Sequence, residues 1–240
     1  MSPSEPGRFL LLGSGEFERW SGDAERFALS GASGDGTVVV LATASGREGE
    51  VVFDRWTTMG LAHYASLDIP SIAVRVRNRA DALAPGMADA IDSASMVFFS
   101  GGSPAYLAAT VIGTPIWDAV TRLVARGGVY AGCSAGAMVA GARGAPGRRS
   151  HLPFPFASGL GLVPDTAMGV HWDALSGWWI KWLRDIAPRR LPRSVTFVGI
   201  AENTAIATDG DGWRVFGSGT VDVRAHGRRT AFAAGETFPR

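Results

Sequence analysis

One cysteine in 240 residues, Cys133, rules out an internal disulfide framework and fits a reducing compartment. Neither sign of charge dominates: 23 Lys and Arg against 22 Asp and Glu leave a formal net charge of +1, so no global field draws the chain toward nucleic acid or an anionic membrane. Lysine is nearly absent, Lys181 being the only one, and arginine carries the rest of the positive charge. No apolar run approaches the roughly 18 residues of a membrane span, and residues 1–7 lack the basic and apolar regions of a secretion signal. The expectation is a soluble cytoplasmic protein with no nucleic acid and no membrane as partner. Histidines are few, and no two histidines or carboxylates show ligand spacing on one helix face, so neither a metal nor another cofactor is expected.

Apolar residues make up 46% of the chain, enough for a substantial core, and the length suits one domain over residues 1–240 with no linker or internal repeat. Short β-branched or apolar runs at 8–12, 37–41, 71–76 and 96–100 read as strands, with helical stretches near 16–29, 48–64 and 84–93 between them. That alternation predicts an α/β fold: a three-layer, doubly wound, mostly parallel sheet with helices on both faces. The last third changes character. After strands rising to Gly169 and at 195–200, segments at 205–208, 213–216, 220–224 and 229–232 are separated by Asp209-Gly210-Asp211-Gly212, Gly217-Ser218-Gly219 and His226-Gly227, and read as C-terminal β-hairpins.

The chain is organised around Gly128-Val129-Tyr130-Ala131-Gly132-Cys133-Ser134-Ala135-Gly136-Ala137. An apolar, β-prone run enters Gly-x-Ser-x-Gly and small, helix-compatible residues follow, so Ser134 falls where a strand turns sharply into a helix, the setting of a nucleophile elbow. Glycines two residues either side of Ser134 suit a turn that brings strand and helix backbones together. Cys133 is one residue out of frame and reads as a packed side chain. A plain glycine-rich βα turn is the alternative.

In parallel sheets sites form at the carboxyl ends of strands. Gly13-Ser14-Gly15-Glu16, Thr43-Ala44-Ser45-Gly46, Ser100-Gly101-Gly102-Ser103 and the elbow all sit at such ends and should converge on one cleft. The first lacks the third glycine of a dinucleotide fingerprint, position 18 being Glu18. The third, followed by Pro104, is either a plain helix cap or a source of a second oxyanion donor, the N–H of Gly102 beside that of Ala135.

A serine nucleophile needs a base, and usually a carboxylate to orient that base. His63, near a helix end, and His151, in the Arg/Pro-rich stretch 143–158, read as surface or packing; His226 sits in an apparent hairpin turn. His171 directly follows a strand end, and so does Glu202. The preferred order is Ser134, His171, Glu202, with Asp173 the nearest rival to Glu202. An α/β-hydrolase would instead use Ser134, Glu202, His226, but that fold wants further βα units after the elbow. Trp172, Leu175, Trp179 and Leu183 fall at helical spacing and read as core packing.

Phe99-Ser100-Gly101-Gly102-Ser103-Pro104, the block from Gly127 to Ala137, Gly159-Leu160-Gly161-Leu162, His171, and Gly199-Ile200-Ala201-Glu202-Asn203-Thr204-Ala205 with Gly217-Ser218-Gly219 resemble, in order, the peptidase E and cyanophycinase family of serine peptidases. The resemblance implies a class I glutamine amidotransferase-like fold, a Ser-His-Glu triad at Ser134, His171 and Glu202, and oxyanion donors at Gly102 and Ala135. It also implies action on peptides with aspartyl residues. Cyanophycinases carry Asp-Gln before the histidine and arginines after it; this chain has Gly169-Val170 and Trp172-Asp173-Ala174-Leu175 there, and Ser103 where relatives have Asp or Asn. The expectation is therefore a serine hydrolase that cleaves a small peptide or amide through an acyl-enzyme. Ser103, Tyr106, Trp172 and Arg143, with Arg148 and Arg149, are its candidate substrate groups, suited to an acidic peptide or acyl-amino acid. The alternative is a catalytically silent binding or regulatory protein on the same fold. A homodimer is compatible with either, though nothing in the sequence specifies one.

Overall fold

Five apolar runs form parallel strands: β1 (Arg8–Leu12), β2 (Val38–Leu41), β3 (Ser71–Ala73), β4 (Met96–Phe99) and β5 (Val129–Cys133). The computed structural model describes residues 7–141, 159–174 and 191–240. Arg143, Arg148, Arg149, His151 and the stripe positions Leu175, Trp179 and Leu183 lie outside them. The parallel strands stand in the order β1-β5-β4-β2-β3. All but β3 are buried over nearly their whole length, as a sheet covered on both faces requires.

The two faces are distinct. Leu10, Leu12, Val38, Val40, Phe98 and Ala131 pack beneath α1 (Gly22–Leu29) and α2 (Glu50–Ser66). On the other face Leu11, Val39, Val97 and Tyr130 meet residues of α3 (Arg79–Leu83), α4 (Asp89–Ser93), α5 (Pro104–Val111), α6 (Pro115–Ala125) and α7 (Ala135–Ala140). The layered α/β expectation therefore holds. Among the described residues no single helix is long and apolar enough to cross a membrane.

Local departures have local causes. The helix expected over 16–29 starts only at Gly22, because Phe17 takes a left-handed φ of 65° and a short 3-10 turn at Arg19–Ser21 intervenes. The helix expected over 84–93 forms only at its end, as α4; α3 lies before that range, and Pro85 with Gly86 at φ 81° falls between the two. The strand expected over 71–76 ends at Ala73.

The C-terminal hairpins are real but divided between two sheets. β8 (Thr204–Asp209), β9 (Gly212–Gly217) and β12 (Thr237–Pro239) extend the main sheet antiparallel beyond β1, giving β12-β9-β8-β1. β10 (Thr220–Ala225) and β11 (Arg228–Ala233) join β6 (Thr166–Gly169) and β7 (Thr196–Ile200) in a second sheet ordered β11-β10-β7-β6, with β6 and β7 parallel.

Trp172 holds that second sheet together. Its indole lies over Gly199, where a Cβ would fall 2.7 Å from the ring, and 4.6 Å centroid to centroid from Phe197. Its Nε1–H donates to Asp222 Oδ2 at 3.0 Å, and Asp222 also accepts from Arg229 Nε at 2.7 Å. Burial pushes the Asp222 carboxyl up, but hydrogen bonds from Arg229 and Trp172, with the charges of Arg229 and Arg224, outweigh it and hold the group below the usual carboxylate range. A lowered folded value means the stabilisation is complete above the unfolded value of ~3.9 and is lost as pH falls through the folded one. Asp222→Ala is expected to cost roughly 1–3 kcal/mol by stranding the buried indole N–H. A urea titration at neutral pH reads this, and the part due to the carboxylate's charge should fade on acidification.

Candidate active site

β5 ends at Cys133, Ser134 takes φ 48° and ψ −106°, and α7 begins at the next residue. That left-handed conformation costs a non-glycine residue on the order of 1–3 kcal/mol and persists only where packing over-determines it. The packing is visible. A Cβ on Gly132 would fall 2.5 Å from the Gly136 carbonyl carbon, and one on Gly136 would fall 2.3 Å from the Phe99 carbonyl oxygen. The buried Tyr130 hydroxyl donates to the Gly136 carbonyl at 2.8 Å, tying strand to helix.

Burial distinguishes the two elbow residues Cys133 and Ser134. Cys133 is fully buried and its thiol donates to Glu16 Oε2 at 2.8 Å. Burial, and then the neighbouring Glu16 charge, push the thiol well up, which suppresses the nucleophilic thiolate. Ser134 is half-buried.

Ser134 Oγ lies 3.1 Å from His171 Nε2, and His171 Nδ1 lies 2.9 Å from Glu202 Oε1. His171 comes from the second sheet. β6 runs parallel to β7 with Gly169 opposite Gly199, and beyond that register the Trp172 N–H donates to the Ile200 carbonyl at 3.1 Å, while His171 itself turns at φ 51°. Glu202 follows β7 directly. Its own N–H donates to Asp173 Oδ1 at 2.7 Å, so Asp173 holds the Glu202 backbone rather than the imidazole. The next residue, Asn203, has φ 49° and donates its N–H to Ser14 Oγ at 3.1 Å.

The His171 and Glu202 side chains are 39% and 44% exposed, so their pairing adds little to stability. Its consequence is orientation. An ionised carboxylate only accepts, which assigns the proton to Nδ1 and leaves the Nε2 lone pair facing Ser134. Among the described residues the other two histidines are elsewhere: His63 is buried against Glu25, and His226 sits in the β10–β11 turn.

The strand ends converge. Gly101 N–H donates to Glu16 Oε1 at 2.8 Å, and Ser103 N–H to the Ala44 carbonyl at 3.0 Å. Gly102 has φ 139°, and a Cβ there would fall 2.5 Å from the Ala44 carbonyl, so only glycine fits. Ala135 opens α7, which leaves its N–H without an intrahelical partner.

Three of the candidate substrate groups turn out to be structural contacts. Ser103 Oγ caps α5 by accepting from Tyr106 N–H at 3.3 Å. The Tyr106 hydroxyl donates to the Arg77 carbonyl at 2.8 Å, and its ring lies under the Arg47 guanidinium, 4.6 Å from the centroid. Trp172, expected beside the base as an apolar wall, is buried in the second sheet. Arg143 lies outside the described residues. Sequence reasoning passed over Arg47, two residues beyond Ser45 on the β2 rim, and Glu16, which closes the Gly13-Ser14-Gly15-Glu16 strand end.

Residues 10–216 match Peptidase family S51. Cyanophycinases of Trichormus variabilis and of a Nostoc species are each 26% identical over 226 residues, covering 89% of this chain and 72% of theirs. Among solved structures, a peptidase from an acI-B1 actinobacterium superposes with a TM-score of 0.83 at 28% identity, covering 99% of this chain and 98% of that one. A putative peptidase E from Listeria monocytogenes, 16% identical with a TM-score of 0.60 over 89% of this chain and 99% of that one, shares the fold. The family match runs from β1 through the elbow and the Glu202 turn to β9, and the chain therefore belongs to Peptidase family S51 and is a serine-type peptidase.

Proposed function

We propose that Ser134, His171 and Glu202 act as a catalytic triad that cleaves a small acidic peptide or acyl-amino acid through an acyl-enzyme. The observation that carries this is the relay from Ser134 Oγ to His171 Nε2 at 3.1 Å and from Nδ1 to Glu202 at 2.9 Å, set at a left-handed elbow. Ser134 Oγ attacks the scissile carbonyl carbon and His171 Nε2 takes its proton. The tetrahedral oxyanion is received by the N–H groups of Gly102 and Ala135, aided by the positive end of α7. His171 then returns the proton to the leaving amine, and water reverses the sequence to free the acyl group. Glu202 stabilises the imidazolium and keeps its orientation.

For the substrate, the support is the rim. The Asp-Gln and arginine positions of the cyanophycinase pattern hold Gly169-Val170 and Trp172-Asp173-Ala174-Leu175, and Trp172 faces the second sheet. Arg47 is an exposed cation over the Tyr106 ring, and its guanidinium suits a bidentate carboxylate. Strand spacing of ~4.8 Å puts the β2 end about 10 Å from the elbow, a distance an arginine and one substrate residue together span.

A fluorophosphonate probe should label the wild type and Cys133→Ala but not Ser134→Ala; an unlabelled, folded wild type would favour a silent binding protein. Against a dipeptide and isopeptide library, Ser134→Ala should lose on the order of a million-fold in kcat, and Glu202→Gln less, roughly ten-thousand-fold. Arg47→Met should raise KM for acidic substrates about tenfold, the loss of one charge-assisted contact, with little change for neutral ones. Efficient release of Asp-Arg units from cyanophycin would overturn the substrate assignment.

A further inference from the structure

Glu16 is an unusual residue to find under this site. It is 6% exposed, and among the described residues no cation pairs with it. Burying a carboxyl group is costly unless its oxygens are hydrogen-bonded. The two Glu16 oxygens are used separately. Oε1 accepts from the Gly101 N–H at 2.8 Å, at the end of β4, and Oε2 accepts from the Cys133 thiol at 2.8 Å, at the end of β5. The last paired register between these strands is Phe99 with Gly132, so the carboxylate bridges them just where the ladder stops. A Cβ placed on Gly101 would lie 3.0 Å from Glu16 Oε1 and 3.5 Å from Ser134 Cβ, so one glycine separates the carboxylate from the nucleophile. Phe17, the residue after Glu16, is held at φ 65° with its ring buried 4.9 Å from Phe98, which fixes where the side chain starts.

We infer that Glu16 is a positioning residue for the oxyanion hole, an inference that rests on the triad reading above. By taking the Gly101 N–H inward, it leaves the Gly102 N–H as the next donor along the loop. By holding Cys133 at the same time, it keeps that loop at a fixed distance from the Ala135 N–H on the other side of Ser134. The two donors belong to different strand ends, and Glu16 is the side chain that joins them. It touches neither substrate nor reacting atoms and acts through the Gly101 peptide.

The test is fluorophosphonate inactivation of the full chain, followed to saturation so that the maximal rate separates from probe affinity, with thermal unfolding measured in parallel. Glu16→Ala should lower the maximal rate about 100-fold, the usual effect of losing one oxyanion donor, with probe affinity nearly unchanged. Glu16→Gln keeps an acceptor oxygen for Gly101 and should recover most of that rate. A role in folding alone would lower the melting temperature and the fraction labelled while leaving the rate of the folded fraction intact, and that result overturns the inference. So does an equal loss in Glu16→Ala and Glu16→Gln, which would make charge rather than acceptor geometry the cause. If Glu16→Ala does not fold, Glu16→Asp replaces it: a rate below that of Glu16→Gln supports the positioning role, and a wild-type rate sinks it. Failure of the triad reading looks different, because then the wild type itself is not labelled.

Discussion

The site depends on one crossing of the chain from sheet to sheet. β7 belongs to the four-stranded sheet and β8 to the eight-stranded one, and only Ala201, Glu202 and Asn203 lie between them. That short passage brings the strand ends of the two sheets together beside the end of β1 and puts a carboxylate at the junction. The parallel pairing of β6 with β7 then delivers His171 next to it, since the register of Gly169 with Gly199 sets how far the chain has run when it turns. The elbow comes from the other sheet. Ser134, His171 and Glu202 are thus brought together by sheet topology, and their mutual hydrogen bonds tune an arrangement that the backbone has already made.

Four of the non-glycine residues with left-handed φ, Phe17, Ser134, His171 and Asn203, are part of the site or adjoin a residue that is. Each costs on the order of 1–3 kcal/mol, a large share in total of the roughly 5–15 kcal/mol by which domains are stable. Such conformations survive because the surroundings leave no alternative. Phe17 has its ring in the core against Phe98; Ser134 stands between Gly132 and Gly136, whose backbones touch; and His171 is followed by Trp172, anchored at both its N–H and its indole. Strain is therefore placed where a side chain must be thrust into a cleft, and it is supported by apolar packing on the far side.

What was legible in the sequence was what depends on local patterning. The apolar runs of the parallel strands, the glycines around Ser134 and the turn residues of the hairpins each obey a rule that spans a few positions, and the structure agrees with them. His171 and Glu202 were legible because both directly follow strands. The second sheet was not legible, since the partners of β6, β7 and β10 are set by long-range pairing that no window of sequence contains. Trp172 admits two readings for that reason, core packing or a wall of the cleft beside His171, and only the position of β10 decides for packing, with the indole spent on Asp222. The break at Phe17 was hidden as well, because a left-handed phenylalanine has no compositional signature.

The two nucleophilic atoms at the elbow, Cys133 Sγ and Ser134 Oγ, differ by one residue and by the side of the sheet they face. Cys133 is still in the strand and points into the layer beneath α1 and α2, where burial and the Glu16 carboxylate hold its proton; Ser134 has left the strand and meets His171. Backbone direction therefore sets oxygen rather than sulfur beside the imidazole, although intrinsic nucleophilicity would favour sulfur. Backbone and side chains likewise divide what family membership carries from what it does not. The hydrolytic geometry rests on glycines, strand register and turns that cannot change without moving the elbow. The rim, by contrast, is built from side chains such as Arg47 on Tyr106, which can be exchanged while the backbone stays where it is. Under the proposed function, substrate preference is free to diverge over a fixed backbone frame, and the rim side chains are where that proposal places specificity.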